Sequence, residues 1–217
     1  FKKDRNINID NAGGGSFDAI KNSLRVSDIR NIAIYVWIWT ALMTIQWITA
    51  INIVEGWSQN SEQRLRFFAT IEQVISPLTL VVQLFLTNVI IKKVGIKNIL
   101  ISYGILFCLA FMMYGLIPSI ISVAIVTIFL RIFEYGINKP TRETIFSTLS
   151  KNDRYKSSVF IDTFISRFGD LSGSGFIAIG KITSIAANSF PLVAIPIAAL
   201  LSLFGVKISN KTQLKDL

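Results

Sequence analysis

The stretch KPTRETIFSTLSKNDRYKSSVFIDTFISRFGDLSGSG, Lys139 to Gly175, decides how the chain is read. A basic, polar run leads straight into an apolar helix that carries Asp162, Arg167 and Asp170. Charges at the depth of a hydrocarbon core are costly, and they persist where they face a bundle interior or a water-filled path. The segment therefore predicts a membrane helix lining a polar cavity.

Composition agrees with that reading. Hydrophobic residues make up 52% of the chain and charged residues 16%, and the mean hydropathy is +0.55. These values belong to a polytopic membrane protein. One cysteine, Cys108, and no histidine exclude a disulfide framework, a zinc site and a histidine proton relay. No catalytic set, metal-ligand cluster or cofactor motif emerges, and the G-x-x-x-x-G-K-[ST] order of an ATP-hydrolysing loop is absent. The expectation is a non-enzyme. The net charge of +9 sits in runs between apolar segments, where anionic lipid headgroups lie, so the bilayer explains it better than nucleic acid does.

A bilayer takes about 20 mostly apolar residues per helix. On that measure the sequence predicts an all-α bundle of six transmembrane helices, over 31–54, 67–91, 95–116, 117–137, 157–182 and 184–206. Residues 1–30 read as a polar linker or tail and 207–217 as a second tail. Of the 22 Lys and Arg, 17 fall in the segments that an even count puts on one side, against Arg64 and Arg66 on the other. Both termini are therefore expected to be cytoplasmic, in a bacterial inner membrane or an organelle envelope. A six-helix unit behind a polar linker is the expected form of the second half of a twelve-helix carrier, so an N-terminal six-helix half is the expected partner.

The charges inside or beside these spans are the candidate site: Arg131, Glu134, Arg142, Glu143, Asp162, Arg167 and Asp170. Arg131 and Glu134 lie three apart and are expected to pair, as are Arg167 and Asp170. Asp162 and Asp170 sit about 80° apart around a helix, so both can face one cavity, and Asp162 would draw a cation from Arg131 or the 139–156 segment. Gate or scaffold roles compete with substrate contact for Asp162, Arg142 and Glu143. Glu72 is a pore or interface residue, and Lys181 would reach the interface. Gly169 and Gly173 predict close helix packing. The Trp residues read as interfacial anchors or packing, with Trp47, beside Gln46, able to face a cavity.

The segment NKPTRETIFSTLSKNDRYKSSVFIDTFISRFGDLSG follows N-x-P-x-R-E, a basic stretch, then F-I-D-x-x-x-x-R-x-G-D. In this it resembles the ATP/ADP translocase (nucleotide transporter) family and its bacterial relatives. The short Lys92-Lys93-Val94-Gly95-Ile96-Lys97 loop is similar to the basic loop between the second and third helices of a major-facilitator half. The resemblance implies a major-facilitator-like fold and secondary transport, by exchange of nucleotides or another organic anion. Two alternatives stand beside it. One is a proton-coupled carrier of another solute, with Asp162 or Glu134 carrying the proton. The other is a non-transporting scaffold subunit of a membrane complex.

Overall fold

The computed structural model describes residues 27–147, 157–182 and 190–211. The expected linker up to residue 26, the basic loop at 148–156, the start of the last span and the end of the C-terminal tail lie outside them. Among the described residues every regular element is helical and there is no strand. Four stretches are long and apolar enough to cross a membrane: Ile29–Trp57, Ser61–Leu116, Ile120–Ser147 and Phe190–Ile208. Residues 157–182 are also helical, but Asp162, Arg167, Asp170 and Lys181 keep that stretch out of the apolar set.

Helix α1, Ser27–Trp57, starts and ends a few residues beyond its expected span. Asn60 caps the next helix, α2 (Ser61–Val81), its side-chain oxygen accepting the Glu62 N–H at 2.9 Å. From α2 the chain runs through a π-helical turn, Val82–Leu86, into α3, Thr87–Leu116. A straight 56-residue helix would be about 84 Å long, nearly three times the hydrocarbon thickness of about 30 Å. Gly95 prevents it. At φ 80° and ψ 150° it occupies backbone space that only glycine enters without strain, and helical geometry stops there.

Side-chain contacts show the chain reversing at that point. Glu72 meets Arg131, and further on the Gln83 side chain donates to the Tyr135 carbonyl, so the segment before Gly95 lies beside α4 (Ile120–Phe133) and runs in the same direction. After Gly95, Tyr35 meets Leu100, Trp39 meets Tyr103 and Gln46 meets Tyr114, so α3 runs parallel to α1. The expected Lys92–Lys97 loop is thus a break at one glycine. Beyond α4 come a second π-helical turn, Glu134–Asn138, and α5, Lys139–Ser147. This corrects the expectation that a polar loop begins at residue 138. Residues 157–160, a third π-helical turn (Ile161–Ile165) and α6 (Ser166–Ile182) form the next helix. Helices α7, Phe190–Val193, and α8, Ile195–Lys211, complete the described chain, and α8 extends past the expected end at 206.

The core is an aromatic stripe on α3. Tyr103, Phe107, Phe111 and Tyr114 recur at helical spacing and are fully buried. The buried hydroxyls have partners: Trp39 donates to Tyr103 at 2.9 Å and Gln46 to Tyr114 at 2.9 Å. Gln46 is therefore structural, whereas Trp47 is the one at a cavity. Small residues set the closest approach. A Cβ on Gly169 would lie 2.8 Å from the Trp37 carbonyl, and one on Gly173 would lie 2.5 Å from the Ala41 carbonyl, so α6 rests directly on the α1 backbone.

Gly95→Ala is expected to cost about 1–3 kcal/mol through backbone strain. Gly173→Val is expected to cost about as much by overpacking, at about 1–3 kcal/mol. Both should lower the thermal midpoint of the purified protein, and parent-like midpoints would contradict these placements.

Candidate functional site

The elements meet around a cleft of about 490 Å³ walled by α1, by α4 through α5, and by the helix containing Asp162 and Asp170. Pro140 explains the geometry of one wall. Its ring cannot donate to the Gly136 carbonyl and crowds it, which is how proline disturbs a helix. The turn from Glu134 to Asn138 is accordingly π-helical, with the Lys139 N–H bonded to the Glu134 carbonyl. The freed Gly136 carbonyl takes the Thr87 hydroxyl at 2.5 Å. That turn puts Glu134, Asn138 and Arg142 in register along the wall.

Among the described residues, the buried charged side chains are Glu134 and Arg142. Arg142 Nη2 lies 3.4 Å from Glu134 Oε1, and Asn138 Nδ2 donates to Glu134 Oε2 at 2.7 Å. The Tyr35 hydroxyl in turn donates to Asn138 Oδ1 at 3.3 Å. The Arg142 guanidinium stands 4.4 Å from the Trp39 ring centroid, close for a cation over an aromatic face. Trp39 is itself oriented by its bond to Tyr103.

The expected Arg131–Glu134 pair is not formed. Glu134 is committed to Arg142, and Arg131 turns to Glu72 of α2 at 4.0 Å, between Trp47 and Tyr135 at 5.7 and 5.9 Å. The reason is that Glu134 points into the bundle, while Arg131, still in regular helix, points to the cleft mouth. The Arg167–Asp170 pair is formed, at 3.3 Å, with the Thr44 hydroxyl donating to the other Asp170 oxygen at 3.0 Å. Arg167 itself is outside the cleft lining, with 83% of its side chain exposed. Glu143 is exposed on α5 and does not line the cleft either. Asp162 lines it, accepting the Ser158 hydroxyl at 3.2 Å, with no cation within 4.0 Å among the described residues. The expected Asp162–Arg131 pairing is absent, since Arg131 is taken by Glu72.

Of the candidate residues, Arg131, Glu134, Arg142, Asp162 and Asp170 line this cleft, and Trp39, Thr44, Tyr135 and Lys139, which the sequence did not single out, line it with them. One signal was present: Trp39, Met43 and Trp47 recur every four residues along one face of α1. A larger cavity of about 610 Å³ lies at the other end of the bundle, between Asn52, Trp57, Pro118, Ile177 and Phe190. Among the described residues its walls carry one cationic side chain, Lys181, whereas the smaller cleft gathers Arg131, Lys139 and Arg142 with three carboxylates. No family model, curated protein or solved structure matches the chain.

Arg142→Ala would strand the Glu134 carboxylate and is expected to cost about 3–5 kcal/mol. The neutral pair Glu134→Gln with Arg142→Gln should recover most of that loss, because neither residue is then left as an uncompensated buried charge. Thermal unfolding of the purified variants measures both, and a parent-like single variant would refute the buried pair.

Proposed function

We propose that the chain is a six-span half of a secondary transporter that carries a small organic anion, with nucleotides of the ATP/ADP type as the leading class, by alternating access. The observation that carries this reading is the clustering of Arg131, Lys139 and Arg142 with Glu134, Asp162 and Asp170 around one open cleft in an otherwise apolar bundle. Ionisable residues gathered inside such a bundle mark a solute or ion path. The volume suits a small molecule. Trp39, Trp47 and Tyr135 offer flat faces for a ring, and the arginines and Lys139 offer donors for carboxylate or phosphate. The resemblance of 138–175 to the ATP/ADP translocases points the same way.

The six-span count rests on treating Ser61–Leu116 as two crossings divided at Gly95, and on counting the charged 157–182 helix as a crossing that faces the cleft. With that count and the Lys/Arg distribution, both termini are cytoplasmic. A second six-helix half, or the water between halves, would cover Glu72 and Asp170, whose side chains are 51% and 44% exposed. Against lipid, a mid-membrane Asp costs about 2.5–3.5 kcal/mol on insertion scales. Proton-coupled carriage of another solute is the second reading, favoured by Asp162, which has no described cation beside it.

Counter-exchange of radiolabelled ADP in proteoliposomes tests the proposal. The full-length protein should exchange, and Arg131→Ala with Lys139→Ala should reduce kcat/KM at least about tenfold, the loss of about 1.4 kcal/mol of transition-state binding. A folded, correctly inserted parent that exchanges no nucleotide ends the nucleotide assignment. Acidification-driven uptake of another solute, abolished by Asp162→Asn, would establish the second reading.

A further inference from the structure

We infer that Arg142 is the anion anchor of the cleft, the group that receives a carboxylate or phosphate of the transported solute; this rests on the cleft being the solute site proposed above. The argument starts from an imbalance in its hydrogen bonding. A guanidinium has five N–H donors. Among the described residues Arg142 spends one, on Glu134 at 3.4 Å, and its buried Nε has no partner. Only 7% of the side chain is exposed, and Arg142 lines the cleft, so its remaining donors meet only what the cleft holds. Buried polar groups almost always have partners, and the oxygens of an anion entering the cleft would supply them to this arginine with charge-assisted bonds.

The surroundings hold the donor in place without using it up. Trp39 backs the guanidinium at 4.4 Å through its face, which offers no lone pair in the plane of the N–H groups. Glu134 takes only one of these donors, at 3.4 Å through Oε1, while Asn138 donates to its other oxygen at 2.7 Å. The other cleft cations differ. Arg131 sits at the mouth with Glu72 and the Tyr135 hydroxyl as partners, and Lys139 is exposed, adding a point charge three residues from Arg142. Arg142 alone combines burial, a fixed plane and unspent donors, which suits bidentate recognition of a carboxylate or phosphate. The competing role is purely structural, as the partner that neutralises Glu134.

The test separates the two roles by removing the structural need. In Glu134→Gln with Arg142→Gln the buried pair becomes neutral. Binding of ADP, inorganic phosphate and succinate, with uncharged adenosine as reference, is measured calorimetrically on the full-length protein in detergent, and exchange separately in proteoliposomes. An anchor predicts that the folded double variant binds the preferred anion at least about tenfold more weakly, while adenosine is unaffected. Parent-like anion affinity in that variant overturns the proposal, as does a parent that binds none of the three anions. If the neutral pair does not fold, Arg142→Lys retains the charge beside Glu134 and removes the planar fork. A several-fold weaker Kd for the anion then supports the anchor, and an unchanged Kd overturns it. Tight anion binding without exchange would end the transport reading and leave the anchor standing. Exchange with no anion effect in either variant would do the reverse.

Discussion

A carboxylate and a guanidinium 3.4 Å apart inside an apolar helical bundle constrain everything around them. Neither charge is tolerable there alone, and the attraction between them offsets desolvation only when further hydrogen bonds hold the geometry. The bundle supplies these through Asn138 and Tyr35 on one side and the Trp39 face on the other. Their alignment depends on the π-helical turn before Pro140, and that turn persists because Thr87 and Gln83 of a neighbouring helical segment accommodate the displaced carbonyls of Gly136 and Tyr135. A proline, two polar side chains and one buried ion pair are therefore a single construction.

The same economy of polar groups governs the rest of the bundle. Where the aromatic stripe of α3 brings tyrosine hydroxyls into the interior, α1 meets them with Trp39 and Gln46. Where α6 must lie against α1, glycines let backbone touch backbone, which packs helices when surrounding lipid offers no hydrophobic drive of its own. The cleft forms on faces not used for this packing, and it gathers Arg131, Glu134, Lys139, Arg142, Asp162 and Asp170. Gly95 permits the arrangement by reversing the chain between α2 and α3 within a single residue, so that α2 lies beside α4 while α3 runs along α1.

Much of this was legible in the residue order. Apolar runs of spanning length, the basic clusters between them, the glycine in Lys92–Lys97 and the acids of 157–182 all register locally, because hydrophobicity and backbone freedom belong to a residue and its near neighbours. Partner choice did not. Spacing alone favoured Arg131 with Glu134, since the i,i+3 rule sees one helix at a time. The actual partner of Arg131 is Glu72, distant in sequence, and that of Glu134 is Arg142, eight residues on through a π-helical turn. Trp39 and Tyr135 were hard to place for the same reason, since an aromatic residue on an apolar helix looks alike whether it faces lipid, core or cleft.

By itself, then, the sequence determined an all-helical chain with membrane-length apolar segments, their breaks, and which residues carry charge at depth. Tertiary structure decided which of those charges meet, that Arg142 is buried against Trp39 with donors to spare, and that Arg167 and Glu143 stay outside the cleft. The physical reason is range: burial preference and helix formation are set within a turn or two of chain, whereas a charge in an apolar bundle is stabilised by whichever group folding brings within hydrogen-bonding distance.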